Sequence, residues 1–91
     1  MVFALFVLDK ANELLQALPP ADYTICYAAL KDLAKNPYPG VDRDKEKLSG
    51  RENKYRLHIG RTYTAIYKID KEKKRVCVFA FGRIGAMHKK Y

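Results

Sequence analysis

Lys54, Arg56 and His58 alternate with Tyr55, Leu57 and Ile59. Side chains of an extended strand point to opposite faces in turn, so the first trio shares one face and the second is directed into a core. Two cations and an imidazole on one face suit a phosphodiester. Cleaving RNA without a metal requires the 2′-hydroxyl to attack the adjacent phosphate. A base then takes its proton, an acid protonates the leaving 5′-oxygen, and cations steady the added negative charge. His58 is the candidate base, because imidazole changes charge between pH 5 and 8, and Arg56 and Arg61 disfavour a further positive charge on it. Arg56 and Arg83 can bridge phosphate oxygens through planar guanidinium groups, with Lys54 and Arg61 as further cationic contacts. Near the end of the chain, His88 offers a second acid or base and Tyr91 a ring for stacking, with Lys89 and Lys90 placed to contact phosphate. A solvated basic strand and a solubilising tail would show the same residues, so the pattern alone leaves both readings open.

Other chemistries lack their residues. The sequence contains no Gly-rich phosphate loop, Ser/His/Asp constellation, His/Cys cluster or paired-carboxylate motif, so no metal, cofactor or covalent intermediate is expected. Cys26 and Cys77 lie far apart in differently patterned segments, without zinc or redox spacing, and read as buried free thiols.

The charge balance agrees with an anionic partner. The 91 residues carry 18 Lys and Arg against 10 Asp and Glu, a net charge of +8. Residues 1–36 hold only Lys10, Lys31 and Lys35 against Asp9, Glu13, Asp22 and Asp32, so the whole excess falls in residues 37–91. A cationic surface built by the second half of the fold predicts a polyanion as partner. The length suits one domain with a modest core. The apolar start, Val2 to Leu8, lacks a basic leader region and falls short of the roughly 20 residues of a membrane span, so it reads as a strand and the protein as cytoplasmic, with no membrane partner.

The elements that must position these residues follow from the hydrophobic period. Val2 to Leu8 is continuously apolar, which predicts a strand covered on both faces and central in its sheet. Asp9 is a candidate N-cap for an amphipathic helix over Lys10 to Leu18, carrying Ala11, Leu14, Leu15 and Leu18 on one stripe. Pro19 and Pro20 end it. Pro20 opens a second helix with Cys26, Ala29, Leu30 and Leu33 on its apolar stripe, stopped by Asn36 and Pro37. Such a tight link predicts an antiparallel helical hairpin. Pro37 to Asn53 reads as an exposed connection anchored by Leu48. Lys54 to Ile59, Thr62 to Ile69 and Arg75 to Phe81 then form an antiparallel meander, giving an α+β fold with the hairpin packed on one face of a four-stranded, mainly antiparallel sheet.

Three stretches carry a family resemblance over nearly the whole chain: Lys47-Leu48-Ser49-Gly50, Tyr55-Arg56-Leu57-His58-Ile59-Gly60 and Tyr63-Thr64-Ala65-Ile66-Tyr67. With Phe81-Gly82-Arg83 and His88-Lys89-Lys90-Tyr91 at the end, the sequence resembles the RelE/ParE toxin superfamily, and its RelE-like branch in particular. The resemblance implies the toxin of a type II toxin–antitoxin pair, cleaving messenger RNA on the ribosome. Its partners would be a cognate antitoxin, the ribosome and mRNA, with a toxin–antitoxin hetero-oligomer as the assembly. Arg56 and His58 match the family's cationic strand residues, Arg83 and Tyr91 its tail group, and His88 the tail His of some branches. Thr64 stands where the family has an Arg on the third strand of its pattern, and an extra residue separates Gly60 from Tyr63. Losing that Arg keeps a second reading open: a ParE-like inhibitor of DNA gyrase, or a weakened toxin that binds without cleaving.

Overall fold

A computed structural model describes residues 3–39, 45–48 and 53–85. Its elements run β1 (Ala4–Val7), α1 (Asp9–Gln16), α2 (Pro20–Lys35), β2 (Lys45–Lys47), β3 (Lys54–Ile59), β4 (Tyr63–Asp70) and β5 (Arg75–Arg83). The sheet order is β1-β5-β4-β3-β2, with β1 parallel to β5 and every other pair antiparallel. The α+β class, the helical hairpin and the meander are as the sequence predicts.

Two expectations about the sheet need correction. The sheet has five strands, because Lys45–Lys47, inside the stretch read as a connection, pairs with Leu57–Tyr55 of β3. A run of Lys-Glu-Lys carries no apolar signal, and its pairing comes from the neighbour strand's backbone. The N-terminal strand is an edge strand and is not central: one side packs under the helices while Phe6 and the following Leu8 stay about half exposed on the other. Its apolar run therefore marks one covered face plus an exposed apolar patch.

The helices lie on one face of the sheet. Asp9 is not the N-cap expected from the sequence: Leu8 occupies that position without a side-chain cap, and Asp9 is the first helical residue, a first-turn acid favourable at the positive end of the helix dipole. Ala11 and Leu15 of α1, and Cys26, Leu30 and Leu33 of α2, pack against Leu57, Ile59, Ala65, Tyr67, Ile69, Val76, Val78 and Phe81 of the sheet. Each fully buried Leu or Val contributes roughly 1.5–3 kcal/mol relative to exposure. Two buried hydroxyls pin helix to sheet: Tyr67 donates to the Pro37 carbonyl at 2.6 Å, and Tyr63 donates to Asp22 at 2.9 Å. Both cysteines are free thiols, Cys26 buried and Cys77 half-buried. Burial, with the nearby Asp22 charge adding to it, pushes the Cys26 thiol above its ordinary range.

Candidate active site

The strand register determines what faces away from the helices. One row across that outer face holds Glu46, Arg56, Ile66 and Ala80. The next row holds His58, Thr64 and Gly82, and the row on the other side holds Lys54, Lys68, Cys77 and Phe6. Leu57 and Ile59 are buried on the helix side, so the alternation read from the sequence sets Lys54, Arg56 and His58 together on the outer face.

Local devices hold this face in register. Asn53 adopts a positive φ of 51° and returns its side chain to the opposite strand, donating from Nδ2 to the Ile69 carbonyl at 2.6 Å. This closes the ladder just before Lys54. At the other end, Gly60 (φ 62°) begins the three-residue loop to Tyr63, accommodating the extra residue and leaving Arg61 exposed at the turn. Lys45 donates to the Asn36 carbonyl at 2.7 Å, tethering β2 to the C-terminal end of α2 and fixing where Glu46 sits.

Glu46 is the residue that sequence reasoning missed. Its carboxylate accepts a 2.7 Å hydrogen bond from Arg56 Nε and lies 3.8 Å from His58 Nε2. The Arg56 side chain is 17% exposed and that of Glu46 48%, so the acid presents the more open part of the pair. His58 Nε2 is shut off from solvent although the side chain as a whole is 31% exposed. The environment of His58 thus includes a carboxylate as well as the expected cations. The sequence carries no signal for it: Glu46 lies in a segment with no apolar pattern, and only the pairing of β2 with β3 brings it opposite Arg56.

The remaining predicted residues are placed as follows. Arg83 pairs with Tyr63 at the end of β5, so register directs it to the same side as Tyr63 and Phe81, away from the Arg56 row. Arg61 is on the exposed turn between the two faces. His88, Lys89, Lys90 and Tyr91 lie outside the described residues. Thr64, at the position of the family's Arg, is fully buried beside His58 and donates to the Leu57 carbonyl at 2.9 Å. No group of three His, Cys, Asp or Glu side chains converges among the described residues in a way that would hold a metal. Among the same residues, no helix is long and apolar enough to cross a membrane.

Solved structures with the same architecture include RelE toxins, alone and in complex with RelB antitoxins. The chain superposes on an archaeal RelE in complex with RelB from Pyrococcus horikoshii with a TM-score of 0.77 and 25% identity, covering 93% of this chain and 98% of that one. It matches the RelBE2 toxin–antitoxin complex of Mycobacterium tuberculosis at 0.75 and 22% identity, over 91% and 92% of the two chains. The isolated RelE toxin of Escherichia coli matches at 0.75 with 18% identity, over 97% and 96%. No protein-family profile matches the sequence, and no curated protein sequence matches it either. The chain has the RelE-like toxin fold.

Proposed function

We propose that this chain is the toxin of a type II toxin–antitoxin pair and a metal-independent endoribonuclease that cuts messenger RNA on the ribosome, in the cytoplasm. The observation that carries the proposal is the gathering of Lys54, Arg56, His58 and Glu46 on the face of the sheet opposite α1 and α2. The fold adds support, since its structural neighbours include RelE toxins solved with their RelB antitoxins.

In this reading Arg56 holds the scissile phosphate and Lys54 the neighbouring one. The Glu46–His58 pair takes the proton of the attacking 2′-hydroxyl, and Glu46, as the exposed member, touches the substrate. The 2′-oxygen bonds to phosphorus, the bond from phosphorus to the 5′-oxygen breaks, and the leaving oxygen receives a proton from an acid, for which His88 is the candidate. The products are a 2′,3′-cyclic phosphate and a 5′-hydroxyl. General acid–base help of this kind contributes roughly 10²–10⁴-fold, and one transition-state contact to a charged oxygen roughly 10²–10³-fold. The antitoxin would hold the toxin inactive by covering this basic face.

A second reading rests on Thr64. A buried threonine bonded to the Leu57 carbonyl supplies no cation to a phosphate, which favours a weakened toxin or a gyrase inhibitor. Mapping transcript ends after induction separates the two: cuts at ribosomal A-site codons support the nuclease, whereas intact transcripts with damaged DNA support the gyrase inhibitor. Within the nuclease reading, replacing Arg56 and His58 together by Ala preserves folding and lowers cleavage of messenger RNA on translating ribosomes. Unchanged transcript cutting by that double variant rejects the site.

A further inference from the structure

We infer that Phe79, contacted by Lys54 and Lys68, is a platform on which the nucleobase next to the scissile phosphate stacks. The inference rests on the nuclease reading for the position of that phosphate. It goes beyond it in assigning a substrate contact to two residues, Phe79 and Lys68, that sequence patterning leaves unassigned.

Three observations converge. First, the β4–β5 ladder shifts register between Ile66 and Tyr67: Tyr67 faces Val78 and Ile66 faces Ala80, which makes Phe79 the extra residue of a β-bulge. Without the bulge, Phe79 outward would require Phe81 outward as well. With it, Phe81 stays in the helix-side core while Phe79 and Ala80 both join the outer-face cluster of Leu48 and Ile66. Bulges recur where a strand must re-aim a side chain beside a site.

Second, two ammonium groups lie over the ring: Lys54 Nζ is 5.5 Å and Lys68 Nζ 5.4 Å from its centroid. The ring's negative faces hold the two cations in place before any ligand arrives. An incoming phosphate offers each ammonium a full negative charge, a stronger partner than the ring. As a lysine moves to the phosphate, the ring face it leaves is opened to a base.

Third, the spacing fits a nucleotide chain. Lys54 and Arg56 share a face two residues apart along β3, about 7 Å. A phosphate at Arg56 and Glu46 therefore puts the neighbouring phosphate near Lys54, with the intervening base beside Phe79. The outer face continues past this point into a groove of about 610 Å³ whose lining includes Phe6, Lys68, Arg75 and Cys77. There the Arg75 guanidinium lies 5.3 Å from the Phe6 ring, repeating the pairing of cation and aromatic. Asp70, ion-paired with Arg75 at 3.6 Å, and Glu72 also line the groove, so the base-stacking site is placed at Phe79, where aromatic and basic side chains meet as they do in single-stranded nucleic-acid binding on sheet surfaces.

The test measures binding of a fully 2′-O-methylated, fluorescently labelled oligoribonucleotide of about eight nucleotides, which the protein cannot cut because it has no free 2′-hydroxyl. Phe79→Leu keeps most of the volume against Ile66 and Leu48 and removes the ring, Phe79→Trp keeps a ring, and Phe79→Ala removes both. Circular dichroism and thermal unfolding establish that each variant is folded. The expectation is about tenfold weaker binding for F79L and F79A, and affinity at or above wild type for F79W. If Phe79→Ala does not fold, the Leu and Trp variants decide the matter. Wild-type affinity in F79L overturns the platform. So does loss of affinity confined to an acidic amphipathic peptide with RNA binding intact, which would assign this face to a protein partner. If binding depends on the ring but transcripts stay uncut, the nuclease reading fails, and Phe79 stands as a base-stacking residue with its place beside a scissile phosphate overturned. If transcripts are cut and F79L binds as wild type does, the platform alone fails.

Discussion

Replacing Glu46 by Gln keeps the size and most of the hydrogen bonding of the side chain while removing its charge, and its effect on binding should oppose its effect on cleavage. In the resting protein the carboxylate accepts from Arg56 Nε at 2.7 Å, so a phosphate arriving at Arg56 must meet a negative charge already in place. At about 4 Å, two unit charges repel by about 1 kcal/mol in water, rising to about 4 kcal/mol at the effective dielectric of a protein surface. The lower figure is appropriate because the Glu46 side chain is 48% exposed. Losing that repulsion tightens RNA binding by about fivefold. The same change removes the exposed proton acceptor of the Glu46–His58 pair, which lowers the cleavage rate by about a hundredfold or more. Binding is read with an uncleavable 2′-O-methyl oligonucleotide, and cleavage in single turnover with translating ribosomes. The reasoning is refuted by E46Q cutting at the wild-type rate, or by its binding RNA more weakly than wild type.

Two further outcomes concern the scaffold. Tyr67→Phe deletes a buried hydroxyl and strands the Pro37 carbonyl that it donates to at 2.6 Å, so urea melts should show a loss of roughly 1–3 kcal/mol; an unchanged midpoint would contradict it. Asp70 accepts from the Lys73 backbone N–H at 3.1 Å, and this bond, with the Arg75 charge assisting, holds its carboxyl below its ordinary value of 3.8. A depressed folded-state value means stability that is present above the unfolded value and lost as pH falls through the lower, folded one. Asp70→Asn should therefore flatten the acid limb of stability below about pH 4, and thermal melts across pH that show the same slope for both proteins would exclude the linkage.

What the sequence revealed follows from which interactions are local. The helical hairpin was legible because Leu15, Leu30 and Leu33 recur at helical spacing and Pro19, Pro20 and Pro37 punctuate the run. The outward trio of β3 was legible because a period of two is a property of one strand alone. Glu46 was not, since its partner Arg56 is brought opposite it by pairing between strands across a segment with no apolar pattern. The edge position of β1 was hidden for a related reason: Phe6 and Leu8 are as apolar as residues of a central strand, yet they face outward. Arg83 illustrates the limit of counting along a strand. The bulge at Ile66 and Tyr67 reverses the alternation beyond Phe79, which takes Arg83 to the side of Tyr63.

The bulge also bears on how this chain handles phosphate without the family's Arg at Thr64. Reverting that position would place a guanidinium where Thr64 is fully buried and already donates to the Leu57 carbonyl, and an isolated buried cation is costly. Thr64 and Gly82, the small residues of the His58 row, thus supply no charge from that end of the face. The cations that are available, Lys54 and Lys68, stand on the opposite side of the Arg56 row, where the extra residue of β5 has set an aromatic ring within reach of both. In the proposed nuclease, substrate contacts therefore fall toward the Lys54 end of the face and away from the His58 end. In that reading, Thr64 in place of an Arg and the ring contacted by two lysines are two aspects of one distribution of charge across the sheet.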